Sequence, residues 1–333
     1  MKAFIVNKYG KNEKLKLVEE ALPSVKENDI LVEVHAAGLN QLDSKLKSGE
    51  FKLILPYKTP FILGHDLAGI VIKTGAKVTR FKAGDEIFAR VSDMRIGTLA
   101  EYIAVDENDA ALKPNNISME EAASVPLVSL TVWQAFVERA NLKKGQKVFI
   151  QAGSGGVGTI AIQLAKHFGA FVATTASEKN FDMLKILGAD IIIDYKKDNF
   201  ETILKDYDVV LNSQDIKTLE KSLTILKPGG SIISISGPPT PEFAKSIGAS
   251  SIIRFILWLT SLKIRNKAKK LNINYSFLFM KANGKQLELI GNLLELKEIK
   301  PIVDKTFPFE LTNDAFDYLE SGHAKGKVVV KVK

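Results

Sequence analysis

Read as hydrophobic and polar positions, the middle of this chain alternates between two periods. Short apolar, β-branched runs at Phe171–Ala176, Ile191–Asp194, Tyr207–Leu211 and Ser231–Ser236 predict buried strands. Between them, Lys179–Leu187, Asn199–Lys205 and Lys217–Leu226 carry helical spacing, and Gly188, Gly229 and Gly230 fall where helices should stop. Such alternation predicts a parallel, doubly wound sheet. Residues 1–121 read differently. Short strands such as Ile30–Val34, Ile70–Lys73 and Glu86–Val91, separated by Gly and Asn turns, predict a mostly β domain. After Tyr275 the pattern predicts a strand, a helix near Gly284–Leu296, a strand at Pro301–Val303, a helix over Thr312–Glu320 and a closing strand, Lys327–Val332.

The start of the alternating region holds the first candidate chemistry. The apolar run Val148–Ile150 leads directly into Gly153, Gly155 and Gly158, after which Ile160, Ala161, Leu164 and Ala165 recur at helical spacing. Strand, glycine turn and helix in that order distinguish a dinucleotide-binding loop from an ordinary Gly-rich turn. The first glycine permits the turn, the second lets backbone approach a pyrophosphate, and the third lets helix and strand pack closely. The free N–H groups of the helix start then face the anion.

Composition narrows the picture. A length of 333 residues suggests two domains, and 46% hydrophobic with 25% charged residues is ordinary for a globular chain with a sizeable core. The net charge of +8 suits anionic ligands without requiring nucleic acid. The chain has no cysteine, which excludes disulfides, thiolate nucleophiles and Cys-based zinc sites. It opens Met-Lys-Ala-Phe-Ile-Val-Asn-Lys, a strand pattern without a signal-peptide core, so a cytoplasmic location is expected. Ser251–Leu262 is strongly apolar but too short to span a bilayer and is interrupted by Arg254, so no stable membrane insertion is expected. Because the basic run Lys263–Lys270 follows, the segment reads either as an interfacial membrane helix or as a helix packed over a cofactor cleft or a second subunit. The packed reading is the favoured one.

A family resemblance joins these features. It is carried by Ala37-Gly-Leu-Asn-Gln-Leu-Asp-Ser-Lys45, Gly64-His-Asp-Leu-Ala-Gly69, Phe81-Lys-Ala-Gly-Asp85 and Gly97-Thr-Leu-Ala-Glu-Tyr102. Further carriers are Ala122-Ala-Ser-Val-Pro-Leu127, Leu130-Thr-Val-Trp-Gln-Ala135, the glycine loop with Gln163-Leu-Ala-Lys166, Leu187-Gly-Ala-Asp190 and Gly322-His-Ala-Lys-Gly-Lys327. In this order the chain resembles the medium-chain dehydrogenase/reductase superfamily, in its zinc-independent quinone oxidoreductase and enone (alkenal) reductase branch. The resemblance implies an α/β protein, a GroES-like β domain plus a Rossmann doubly wound parallel-sheet domain. The implied division is 1–121 for the first part of the catalytic domain, 122–270 for the NADP-binding domain and 271–333 for the return to the catalytic domain. Alcohol dehydrogenases of this superfamily hold catalytic zinc with a Cys, a His and a further Cys or acidic ligand. Here the first Cys position reads Asn40, and His65 persists beside Asp66. The Cys-rich structural lobe is replaced by Ser92–Gly97. No metal is expected, and His65 reads as a structural, hydrogen-bonded histidine.

The cofactor expected is NADPH. An NAD enzyme places an acidic residue about 20 positions past the glycine loop, where this chain has Thr175. Thr175, Ser177 and Lys179 supply donors and a cation that suit a 2′-phosphate. Related reductases clasp that phosphate with a Ser, a Lys and a Tyr, and Tyr195 matches the third. Glu178 lies close by, and the alternative is that Ser177 only caps a helix while Lys179 is a solvated charge. The resemblance further implies cofactor contacts from Thr131, from the backbone of Gly156 and Val157, and from Asn212, the Ser236-Gly237 turn and Lys325. Phe277 and Phe279 would flank the nicotinamide, unless Phe279 is simply core packing.

For the reaction itself, Asn40-Gln-Leu-Asp-Ser-Lys45 resembles the N-P-x-D-x-K motif of enone reductases, with Gln41 in place of Pro. The resemblance assigns Lys45 as electrophile and proton source, Asn40 as amide donor, and Asp43 as the group orienting Lys45 and the ribose. Tyr57 is an alternative acid. The bland alternative has Asn40 and Asp43 capping a helix while Lys45 and Lys47 point to water. The function expected is hydride transfer from NADPH to a small-molecule quinone or to the C=C bond of an α,β-unsaturated carbonyl, by a monomer or homodimer. The alternative is a weakly catalytic nucleotide-binding protein with an RNA-binding or peripheral membrane role. No aromatic platform interleaves the charges of Lys263–Lys270, so nucleic acid is not an expected partner.

Overall fold

Six parallel strands build one sheet, in the order Ile191–Asp194, Phe171–Ala176, Lys147–Ile150, Tyr207–Asn212, Leu226–Ser234 and Asn274–Phe277. The chain starts in the centre at Lys147–Ile150, winds outward to one side, then returns and winds outward to the other. That is the 3-2-1-4-5-6 order of a Rossmann sheet. Its strands are β-branched and almost wholly buried because helices cover them. Phe149, Val210 and Ile232 from the sheet share a core with Leu219, Ile264 and Ala268 from the helices.

In this computed structural model residues 1–52 and 54–333 are described. They form two compact units, Thr131–Met280 and Met1–Leu130 with Lys281–Lys333. These limits differ from 121/122 and 270/271, for two physical reasons. Helix Met119–Ala123 packs on the strands Asp29–Leu39 and Asp66–Thr74 of the β unit. Strand Asn274–Phe277 is hydrogen-bonded to Leu226–Ser234 as the edge of the Rossmann sheet. One local expectation is also corrected. Gly229 and Gly230 stop no helix; they lie inside the strand Leu226–Ser234, whose pairing shifts register between Tyr207 and Val209. Pro228-Gly-Gly reads as a turn, yet an irregular strand accommodates it.

The other unit is antiparallel for the most part. Its larger sheet runs Val303–Pro308, Lys327–Lys331, Asp29–Leu39, Asp66–Thr74, Glu86–Arg90 and Ala110–Leu112, with Tyr102–Asp106 also paired to Asp29–Leu39. A small sheet joins Lys16–Glu19, Lys2–Val6 and Phe61–Ile62. Alternate positions such as Ile30, Val32, Val34, Leu67 and Ile87 pack together on one face. The register Leu39 opposite Val328 and Gly38 opposite Asp66 has a chemical consequence. It gathers Asn40, Asp66 and Lys327 at the same end of three adjacent strands, where helix Gln41–Ser48 begins.

Candidate functional site

In the β unit, that strand end holds a buried knot of charge. Asp43 is fully buried; its Oδ2 accepts the Asn40 N–H at 2.8 Å and its Oδ1 lies 2.6 Å from His65 Nδ1. A carboxylate only accepts, so the histidine proton sits on Nδ1. Asn40 Nδ2 donates to Asp66 Oδ2 at 3.0 Å and to the Gly38 carbonyl at 3.3 Å. Lys327 Nζ donates to the Leu39 carbonyl at 2.8 Å and to Asn40 Oδ1 at 2.5 Å, and stands 3.4 Å from Asp66 Oδ2. Burial drives the Lys327 ammonium below its usual pKa and the Asp66 carboxyl above its own, and their mutual attraction opposes both shifts. The second Asp66 oxygen accepts the Leu127 N–H at 2.9 Å.

This geometry revises the roles assigned to Asn40 and Asp43. Asp43 engages His65 and the helix start, and does not orient Lys45. Both N–H groups of the Asn40 amide are bonded within the protein. Lys45 is half-buried, and no hydrogen bond or ion pair to its ammonium exists among the described residues. Lys47, by contrast, is buried and paired with Glu320 at 2.8 Å. Tyr57 donates its O–H to the Asp93 carbonyl, and burial raises its pKa well above the ordinary tyrosine value, so it is a reluctant acid. His65 is buried with Nε2 unbonded, 3.9 Å from the Asp93 carboxylate.

In the Rossmann unit the glycine turn departs from expectation only at Gly153, which serves close packing rather than an unusual backbone turn. A Cβ on Gly153 would meet Thr174 Oγ1 at 2.2 Å, and one on Gly158 would lie 2.4 Å from the Ala152 carbonyl and 2.6 Å from Gly153 Cα. A Cβ on Gly155 would meet only the Ala152 carbonyl, at 3.4 Å. Neither Gly153 nor Gly158 has a positive φ; Ala152 takes the left-handed conformation, at φ 51°. Gly153 and Gly158 therefore serve close packing, while Gly155 caps helix Gly156–His167 and leaves room in front of it. The Gly156 and Val157 amides stand in that helix's first turn, with the Ala152 N–H tied to Thr175 Oγ1 at 3.1 Å.

The neighbouring strand ends carry charges of both signs. Register pairs Ala176 with Asp194, which puts Ser177 and Tyr195 one step beyond on adjacent parallel strands. Ser177 is buried and makes no side-chain cap to the short helix after it. Lys179 is exposed, as is Tyr195. Glu178 is drawn to Lys197 at 2.5 Å, and the same ammonium stands 3.9 Å from the Asp194 carboxylate. Further along, Asn212 is fully buried in a neutral belt. Its Nδ2 donates to Gln151 Oε1 at 2.7 Å and its Oδ1 accepts from Ser234 Oγ at 2.5 Å. Gln151 donates in turn to Ser222 Oγ at 2.7 Å, and Gly237 N–H donates to Ser234 Oγ at 2.7 Å. Ser236 Oγ donates to the Gln214 carbonyl at 2.6 Å. Phe277 and Phe279 both pack on Phe243, at centroid distances of 5.0 and 5.6 Å. Thr131 is buried in helix Pro126–Trp133, and Lys325, in the β unit, is half-buried with its N–H on Asp304.

Comparison with known proteins matches both units. A family model described as alcohol dehydrogenase GroES-like domain matches residues 26–115, and one described as zinc-binding dehydrogenase matches residues 187–330. An Arabidopsis thaliana NADPH-dependent alkenal/one oxidoreductase, chloroplastic, is 37% identical, over 99% of this chain and 79% of the relative. The chain belongs to the medium-chain dehydrogenase/reductase superfamily, in its quinone oxidoreductase and enone reductase branch. The solved quinone oxidoreductase of Coxiella burnetii superposes with a TM-score of 0.87 at 31% identity, over 100% of this chain and 99% of that one. The Escherichia coli quinone oxidoreductase complexed with NADPH gives 0.83 at 26% identity, over 100% of both chains.

Within this superfamily the zinc of one family description does not fit these residues. The Asn40 position is bonded to a buried ammonium, His65 Nδ1 is held by Asp43, and no three His, Asp or Glu side chains gather as a metal site among the described residues. Sequence reasoning missed Asp66 and Lys327 as members of the knot, and Gln151 and Ser234 as members of the belt. Only the strand register reveals the first pair. The Gln directly after the apolar run Val148–Ile150 was a usable signal for the second.

Proposed function

We propose that this chain is an NADPH-dependent oxidoreductase that transfers hydride to quinones or to the C=C bond of α,β-unsaturated carbonyls. The observation that carries the reading is the corner formed by Ser177, Lys179 and Tyr195, with Glu178 held by Lys197. A hydroxyl, an ammonium with no ion-pair partner among the described residues and a phenol suit a 2′-phosphate, whereas a free carboxylate there would repel it. Gly155, with space before it, and the amides of Gly156 and Val157 suit the pyrophosphate. NADPH supplies the hydride. The names of similar proteins, an NADPH-dependent alkenal/one oxidoreductase and a quinone oxidoreductase solved with NADPH, point the same way.

The protein's task is to stabilise the negative charge that hydride addition sends to the conjugated oxygen. In this reading Lys45 is the electrophile, because its ammonium has no partner among the described residues and Lys47 is engaged by Glu320. Loss of one such donor costs ~3–4 kcal/mol of transition-state stabilisation. Asn40 and Asp43 act one step back, fixing the helix that carries Lys45. Asn212 orders the strand ends under the Ser236-Gly237 turn. Thr131, Phe277, Phe279 and Lys325 keep the cofactor contacts that the resemblance implies. A cytoplasmic monomer or homodimer acting on a small molecule completes the reading.

The test is kcat/KM for NADPH and NADH in a Ser177→Ala, Lys179→Ala double variant. With charged hydrogen bonds of ~1.5–3 kcal/mol removed, NADPH efficiency should fall at least about tenfold while NADH efficiency holds. An unchanged NADPH preference overturns the cofactor assignment. Lys45→Met should lower kcat on an enone; an unchanged kcat removes Lys45 from the chemistry.

A further inference from the structure

Helix Ser251–Lys270 carries an arrangement that hydride transfer leaves unexplained. Its second half is anchored: Ile264 and Ala268 join the core around Phe149 and Ile232, and Ser261 is buried beside them. Its first half is less covered: Ile253 and Leu257 are half-buried on the anchored side, and no residue from Ser251 to Thr260 is fully buried. Along that half Ile252, Phe255, Ile256 and Leu259 recur at the i, i+3, i+4, i+7 spacing of a single helical stripe. Such a stripe ordinarily faces a core, yet these four side chains are 74, 60, 46 and 48% exposed. Trp258, also exposed, stacks on Phe255 with centroids 6.0 Å apart. Within the chain itself, these four side chains are left largely uncovered.

The charge on the helix says what the stripe meets. Its basic residues are Arg254, Lys263, Arg265, Lys267, Lys269 and Lys270, and it has no acidic one. Lys263 and Lys267 share Glu220, whereas Lys269 and Lys270 have no ion-pair partner among the described residues. Lys263 and Lys270 continue the face of the apolar stripe toward the C-terminus. We propose that this face docks on an anionic lipid bilayer, with Ile252, Phe255, Ile256 and Leu259 in the interfacial region and the basic turns over the headgroups. Apolar and cationic parts in succession, with an aromatic pair beside the stripe, match interfacial helices, and each lysine near an anionic surface adds attraction.

Flotation of the full chain with phosphatidylcholine vesicles, and with vesicles containing phosphatidylserine, tests it. The protein should float with the anionic vesicles, and in a Trp133→Phe variant Trp258 emission should shift to the blue on binding. A Phe255→Glu, Leu259→Glu variant should lose binding while retaining NADPH affinity and thermal midpoint. A Lys269→Glu, Lys270→Glu variant should bind anionic vesicles at least about tenfold more weakly. Failure of the wild type to float, or flotation that survives loss of the stripe, overturns the proposal. So does a wild-type dimer that Phe255→Glu, Leu259→Glu converts to monomer without any lipid binding, which gives the face to a second copy.

Discussion

The two units each bury a polar cluster at a set of strand ends, and the clusters are built on opposite principles. The Rossmann belt of Gln151, Asn212, Ser234 and Ser222 is neutral, and its amides and hydroxyls satisfy one another. The knot in the β unit is ionic. It sets Asp43 against His65 and a buried Lys327 against Asp66, with Asn40 bonded to both. Neutral groups can be buried as soon as each finds a partner, but charges need close pairing as well. The belt is thus a way of ending strands. The knot fixes a helix start in a surrounding that punishes any missing member, and that helix carries Lys45.

The comparison breaks most visibly at Lys327. Lys327→Met leaves the Asp66 carboxylate buried beside a thioether, and unfolding stability should fall by about 3–5 kcal/mol in urea titration. Adding Asp66→Asn should recover much of that loss, whereas a neutral-belt variant such as Ser234→Ala should cost only about 1–2 kcal/mol. Equal losses in the two units would erase the distinction. Next in size is Gly158→Ala, whose Cβ meets immovable backbone at 2.4 Å; it should cost about 2–3 kcal/mol. Gly155→Ala should leave the thermal midpoint nearly unchanged yet weaken NADPH binding, because only its front is open.

The smallest effect is a pH dependence at a partly exposed pair. Arg95 donates to both Asp29 oxygens, at 2.8 and 2.6 Å. Burial pushes the Asp29 carboxyl up, but the guanidinium and the Lys26 N–H outweigh it and hold the pKa below 3.8. A depressed carboxyl stabilises the fold above its unfolded pKa and loses that contribution as pH falls through the folded one. Arg95→Gln should therefore lower the melting temperature at neutral pH, and the gap to wild type should close as pH drops below 3.8. A gap that persists in acid would mean that packing, not charge, holds Arg95.

These differences also explain what was legible in the chain. The Rossmann unit could be read because its chemistry is contiguous: strand, Gly153, Gly155, Gly158 and helix follow one another, and Ser177 and Lys179 close the next strand. The strand at Leu226 was harder, since Pro228-Gly-Gly carries a turn signature inside a sheet. In the β unit the elements were visible but the site was not. Asn40 and Asp43 are near neighbours, whereas Asp66 and Lys327 join them only through antiparallel register across three strands. The motif resemblance paired Asp43 with Lys45, whereas the buried carboxylate lies against His65. The apolar run at Ile252–Leu259 was plain, but only its exposure separates a core helix from a docking one.

The most direct measurement of the central claim is where the hydride lands. A vinyl ketone incubated with the enzyme and NADPH deuterated at its transferable position should yield the saturated ketone, with deuterium on the carbon β to the carbonyl. Deuterium on the carbonyl carbon of an allylic alcohol, or NADPH oxidation with simple aldehydes and with neither enones nor quinones, would contradict it.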